Sequence, residues 1–156
     1  MSWILSILSA LISVCAFGFS LLTYRQQRQK DRRDLFLQID QRLVAPEITQ
    51  GRGILLSRER NAQDFANMRS TAPTDFHAVN SSISMFEVVA MYIERSYIDR
   101  DLVFEEWGVT MAKTWKYAQP FIEARKETGE VPWPNLFKWG PIVSDWVEAH
   151  PVRPIS

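Results

Sequence analysis

Apolar residues follow two patterns along this chain: one uninterrupted run at the N-terminus and, after it, several stretches with helical spacing. Trp3 to Leu22 is a run of twenty residues without a charged side chain. Twenty residues of helix span about 30 Å, which is the thickness of a bilayer core. Trp3 and Tyr24 bracket the run, as is typical of the two membrane interfaces. The pattern predicts a transmembrane anchor over residues 1–24, surrounded by a lipid bilayer.

The residues after the run predict helices and no strands. Residues 25–44 contain neither Gly nor Pro and carry apolar side chains at helical spacing, so a basic juxtamembrane helix should continue from the anchor. Residues 45–130 predict a helical bundle domain, and residues 131–156 a segment rich in Pro and Trp with a short helix. The predicted fold class is all-α: one N-terminal transmembrane helix continuing into a small cytoplasmic antiparallel helical bundle.

Start and stop signals place the individual helices of the bundle. Proline at a first turn, an apolar stripe with steps of three and four, and Asp99 as a cap are the main signals. The polar residues 61–73 are predicted to form a loop. The predicted helices are Pro46–Arg60, Thr74–Ser96, one from Asp99 to near Gly129, and Pro141–Ala149 after a short turn at Pro134.

Charge gives the predicted anchor a direction. The chain has 18 Lys and Arg against 18 Asp and Glu, but five cations and only two anions lie in residues 25–34. Positive flanks of a transmembrane helix stay in the cytoplasm, which predicts a single-pass protein of the inner membrane, N-terminus out and domain in. The remaining residues are slightly acidic, which argues against nucleic acid as a partner. The predicted interface anchors are Trp3, Tyr24, Arg25, Arg28, Lys30, Arg32 and Arg33.

Small residues form a stripe along the predicted anchor. They recur at steps of three and four, which places them on one side of a helix. Such a stripe lets another transmembrane helix approach closely, although a serine hydroxyl can also simply bond back to its own helix. The stripe consists of Ser6, Ser9, Ser13, Ala16 and Ser20.

No catalytic, cofactor-binding or metal-binding residues are predicted. His77 and His150 lack the spacing of metal ligands, and neither has a Glu three positions before it, as a di-iron bundle would require. No nucleophile elbow or phosphate-binding loop is present in the sequence. The chain is therefore not expected to be an enzyme.

Two further groups of residues suggest contacts. Glu87 lies in an apolar stretch, and Arg52 or Arg95 would be its counter-ion if it were buried; Arg52 and Glu87 are predicted as a structural ion pair. Gly51 and Gly53, on either side of Arg52, indicate close helix packing or a kink. Trp133, Trp139 and Trp146 are expected to be partly exposed and to bind a partner.

The arrangement resembles a bacterial family of uncharacterised, single-pass, membrane-anchored helical proteins. The residues that carry the resemblance lie between 25 and 125: the basic run, Pro46-Glu47, Gly51-Arg52, Phe86 to Ala90, and Ile98-Asp99 before Trp107. The resemblance implies membrane anchoring and helices, and it supplies no activity and no catalytic residues.

These observations favour a non-catalytic accessory or scaffold subunit of a larger membrane protein complex, whether respiratory, photosynthetic or transport. The serine stripe and the aromatic tail would bind the partner. The alternative is a membrane-tethered signalling or defence sensor with a ligand-binding helical domain, which an enclosed polar pocket around Arg52 and Glu87 would favour. An enzyme would require several titratable groups that converge in one cleft.

Overall fold

In the part of the chain that the computed structural model of the protein describes, all regular secondary structure is helical. This part comprises residues 2–57, 60–126, 129 and 133–151, without the side chains of 2, 4–12, 14 and 29. It divides into two compact units, Met1–Phe36 and Leu37–Ser156. The described helices are α1 (Ser2–Leu43), α2 (Pro46–Leu56), α3 (Ala62–Thr71), α4 (Pro73–Glu94), α5 (Arg100–Lys126) and α6 (Pro134–Ala149). The all-α prediction is confirmed.

The prediction of a transmembrane helix is contradicted. Among the residues that the structure describes, no helix is both long enough and apolar enough to cross a membrane. Helix α1 is 42 residues long.

Helix α3 occupies residues that were predicted to form a loop. Asn61 starts it with a capping box: its side chain accepts a hydrogen bond from Asp64 N at 2.9 Å, and Asp64 accepts one from Asn61 N at 3.0 Å. Only Phe65 and Met68 are buried on this helix. Two apolar positions are too few to produce a recognisable helical period, so the capping pair was the remaining sequence signal.

The last two helices differ in how well the sequence predicted them. Asp99 caps α5 as expected, because its Oδ1 accepts hydrogen bonds from the backbone N–H groups of Asp101 and Leu102. Helix α6, by contrast, is one helix from Pro134 onwards and not a turn followed by a helix. Pro141 lies inside it, which shows that the neighbouring packing outweighs the hydrogen bond that a proline inside a helix removes.

Helix α4 forms the centre of the Leu37–Ser156 unit. Ten of its side chains are buried, including Val79, Ile83 and Phe86. Helices α2, α3, α5 and α6 all pack against it. The end of α1 contributes Ile39 and Leu43 to the same core.

Two glycines allow helices to approach each other closely. A Cβ atom on Gly51 of α2 would overlap the carbonyl group of Ala78 on α4. A Cβ atom on Gly140 of α6 would overlap the indole of Trp115 on α5. Gly51 therefore accounts for the predicted close helix packing, whereas Gly53 is exposed and has nothing within 4 Å of such an atom.

The substitution Gly51→Ala should lower the free energy of unfolding by about 1–3 kcal/mol, because the backbone of α4 cannot move away without disturbing the core. The matched control Gly53→Ala should raise it by about 0.5–1 kcal/mol, since alanine is the better helix former at an exposed position. Urea unfolding followed by circular dichroism measures both values. Equal effects of the two substitutions would contradict the close contact between α2 and α4.

Candidate functional site

The described side chains of α1 from Cys15 to Tyr24 are exposed on every side of the helix, apart from the half-exposed Gly18. Phe17 is 67% exposed and Phe19 73% exposed, and Leu22 and Tyr24 are both 61% exposed. Large contiguous apolar surfaces are uncommon on monomeric proteins and usually mark interaction sites. This segment is therefore the strongest candidate site in the Met1–Phe36 unit.

The predicted packing stripe and the predicted interface anchors both lie on this helix. Ser13, Ala16 and Ser20 are exposed, whereas the side chains of Ser6 and Ser9 lie outside those described. Trp3 is 66% exposed, and Arg28 lies over the ring of Tyr24 at 5.9 Å. The exposed cations of the cluster are Arg25, Arg28, Lys30, Arg32 and Arg33. Between Cys15 and Tyr24, the described side chains of the other faces are exposed as well.

Of the three tryptophans predicted to be partly exposed and to bind a partner, Trp139 and Trp146 are partly exposed and Trp133 is not. Trp133 is only 2% exposed and belongs to the core, where its Nε1 donates a hydrogen bond to Ser84 Oγ at 3.1 Å. Trp139 and Trp146 are half-buried, and both pack edge-on against the ring of Phe104. The contacts of Trp139 and Trp146 with Phe104 hold α6 against α5. The proline-rich sequence around these tryptophans did not indicate this role.

Glu87 caps a helix from a distance. Its Oε1 accepts hydrogen bonds from Asn135 N at 3.2 Å and Asn135 Nδ2 at 2.6 Å. Its Oε2 accepts one from Leu136 N at 2.6 Å. The backbone N–H groups of Asn135 and Leu136 belong to the first turn of α6. The N-cap residue of this helix, Trp133, makes no side-chain cap. A carboxylate at this place satisfies free N–H groups and interacts favourably with the helix dipole.

Arg52 has different partners from those predicted. Its guanidinium carbon lies 5.5 Å from the centre of the Trp107 ring, and its Nη2 donates a long 3.4 Å bond to Thr49 Oγ1. Trp107 in turn donates from Nε1 to Asp40 Oδ1 at 3.1 Å. Burial lowers the pKa of Arg52. The structure thus gives Arg52 and Glu87 separate surroundings, and the described part of the chain contains no ion pair between them.

Glu94 joins the end of α4 to α6. Lys138 Nζ donates to its two carboxylate oxygens at 2.7 and 2.6 Å, and Trp139 Nε1 donates at 3.0 Å. The hydrogen bond from Lys138, followed by the one from Trp139, lowers the pKa of Glu94. The group is on the surface, so the contact fastens two helices and forms no enclosed polar site.

Within the described residues, no group of three or more His, Cys, Asp or Glu side chains could hold a metal ion. The arrangement that is present consists of helix caps, surface ion pairs and an exposed apolar helix. Of these features, the exposed apolar helix is the one that can bind another macromolecule.

The comparisons with known proteins identify a family. The family model described as a domain of unknown function, DUF4760, matches residues 3–152. The chain belongs to this family. The DUF4760 match extends beyond residues 25–125, on which the resemblance was based, and it indicates neither bacterial origin nor a membrane anchor. Nothing among the curated proteins and nothing among the solved structures matches the chain.

In this DUF4760 chain, Glu87→Gln should lower the free energy of unfolding by about 1.5–3 kcal/mol, since hydrogen bonds to a charged acceptor contribute about that much. Glu105→Gln, at an exposed glutamate on α5, is the matched control and should change it by less than about 0.5 kcal/mol. Urea titration with circular dichroism measures the difference. If both variants unfold at the same urea concentration as the wild type, Glu87 does not stabilise α6.

The contribution of Glu94 should depend on pH with a definite sign. Because its pKa in the folded chain is below the ordinary value of 4.5, its stabilisation is complete above that value and is lost as the pH falls through the lowered pKa. Unfolding free energies of the wild type and Glu94→Gln should therefore differ at neutral pH and converge in acid. A constant difference between pH 3 and 7 would contradict the ionic contact with Lys138.

Proposed function

We propose that this DUF4760 protein is a non-catalytic accessory subunit that joins a larger protein complex through the apolar segment Cys15–Tyr24 of α1. The observation that supports the proposal is the exposure of large apolar side chains on all sides of this helix. A helix that is apolar all round is normally enclosed by other parts of a protein or by its surroundings. In a complex, the helices of a partner would enclose it.

Energetics favour apolar contact over the neighbouring cations as the source of affinity. Full burial of one Phe or Leu side chain contributes roughly 1.5–3 kcal/mol. An exposed ion pair usually contributes about 0–1 kcal/mol. Phe17, Phe19, Leu21 and Leu22 together therefore outweigh the basic cluster at residues 25–34, whose role would be to orient the partner.

The folded unit Leu37–Ser156 supports a scaffold role. Its polar side chains at Glu87 and Glu94 are used to fasten α6. An enclosed polar pocket around Arg52 and Glu87 would favour the sensor alternative. Their separate partners leave that alternative without a supporting observation.

Photo-crosslinking in the native cells tests the proposal. A photoreactive phenylalanine analogue replaces Phe17 or Phe19 in the full chain, and the control places it at Glu105, an exposed position on α5. We expect both α1 positions to give the same crosslinked partner protein, identified by mass spectrometry, and the control to lack it.

The absence of a partner crosslink would contradict the accessory-subunit proposal, and so would either of two other results. One is crosslinking of positions 17 and 19 to lipid alone. The other is crosslinking only to a second copy of the same chain, because an accessory subunit requires a different partner. The substitution Phe19→Asn in a chain labelled at position 17 should reduce the partner crosslink at least about tenfold, which corresponds to the loss of one buried aromatic side chain.

A further inference from the structure

Two helix faces meet at the indole of Trp107. On the last turns of α1, residues 37, 40 and 44 recur at steps of three and four, so they share a face. The backbone N–H of Val44 bonds to Asp40 O, which continues this face beyond Leu43. On α2, residues 49, 52 and 56 share a face in the same way. Asp40 and Arg52 both contact Trp107, so the two faces lie beside the same ring.

Exposed apolar side chains lie on these two helix faces. Leu37 is 46% exposed, Val44 56% and Leu56 41%. A hydrogen bond from Thr49 Oγ1 to Val44 O, at 3.3 Å, ties the two faces to each other. An Arg and a Trp within an apolar surround is the composition typical of the energetic centre of a protein interface. The surface is therefore suited to a protein partner.

Arg52 is the cation of this surface and Asp40 is its anion, and among the described residues no acidic side chain forms an ion pair with Arg52. Its Nη1 is out of contact with solvent and has no hydrogen-bond acceptor among the described residues. The carboxylate of Asp40 accepts the Trp107 hydrogen bond, and it forms no ion pair with Arg52 in the described structure. A partly desolvated guanidinium gains more from a carboxylate than a fully hydrated one does. The side chain is half-exposed, so an incoming carboxylate can reach it.

We propose that the Trp107 surface, formed by Leu37, Val44, Arg52, Leu56 and Trp107, binds an acidic and apolar segment of a partner protein. The carboxylate of an Asp or Glu in that segment pairs with Arg52, and neighbouring apolar side chains cover the three exposed aliphatic residues. The inference rests on the proposed function only in that the partner is a protein. The surface shares no residue with Cys15–Tyr24.

Two blocked tetrapeptides, Leu-Glu-Leu-Leu and Leu-Gln-Leu-Leu, provide the probes. The full chain is kept in a mild non-ionic detergent, which covers the apolar side chains of α1. Titration is followed by nuclear magnetic resonance at the Nε1–H of Trp107 and the Nε–H of Arg52. We expect the Glu peptide to shift both signals saturably and to bind at least about tenfold more tightly than the Gln peptide.

Variants assign the preference to one side chain. Arg52→Gln should abolish the preference for the Glu peptide, and Arg52→Lys should reduce it, because lysine keeps the charge but not the planar fork. Arg100→Gln is the matched control, since Arg100 already pairs with Asp101 at 2.8 Å, and it should keep the full preference. Equal binding of the two peptides, or a preference that survives in Arg52→Gln, would overturn the inference.

The two proposals fail in different experiments. Crosslinks from positions 17 and 19 involve only α1, so their absence would contradict the accessory-subunit role without affecting the peptide measurement. If the Glu peptide did not bind more tightly than the Gln peptide, the proposed binding at the Trp107 surface would be contradicted, even if the α1 crosslinks identified a partner.

Discussion

Helix α4 must be covered on most of its surface, and this requirement organises the Leu37–Ser156 unit. Ten of its 22 residues are buried and only four are exposed, whereas an ordinary surface helix leaves a whole polar face to solvent. Helix α2 covers one side at very short range because Gly51 has no side chain. Helix α6 covers another side, and Glu87 of α4 fixes where α6 begins by binding its first free N–H groups. Packing and polar contacts therefore specify the same arrangement.

The sequence predicted elements with a strong apolar period and missed those that depend on tertiary contacts. The steps of three and four in α4 and the cap at Asp99 led directly to α4 and α5. Helix α3 was missed because its two buried side chains give no period, although Asn61 and Asp64 were a readable capping signal. Pro141 divided α6 in the prediction, since local propensity cannot represent the contacts that keep it one helix.

Contacts between side chains and groups far apart in the sequence were the hardest feature to predict. Glu87 was expected to pair with a cation, but it binds backbone N–H groups 48 residues or more away in sequence. The signal that was available is the start of α6: Trp133-Pro134 has no side chain that can cap a helix. Trp133 was expected to be partly exposed because prolines surround it, yet it is buried and its indole donates a hydrogen bond to Ser84. The apolar run at the N-terminus predicted a transmembrane anchor, which the helices of the described residues contradict.

The contact between Gly140 and Trp115 limits how the family can vary. Helix α6 approaches α5 so closely that the indole of Trp115 occupies the space that a Cβ atom at position 140 would need. Any relative with a larger residue at position 140 must have a smaller one at position 115, or else a wider gap between the two helices. Because Phe137 packs edge-on against the same indole at 5.5 Å, replacement of Trp115 would also leave that ring without its neighbour. Positions 115, 137 and 140 should therefore change together through evolution or not at all.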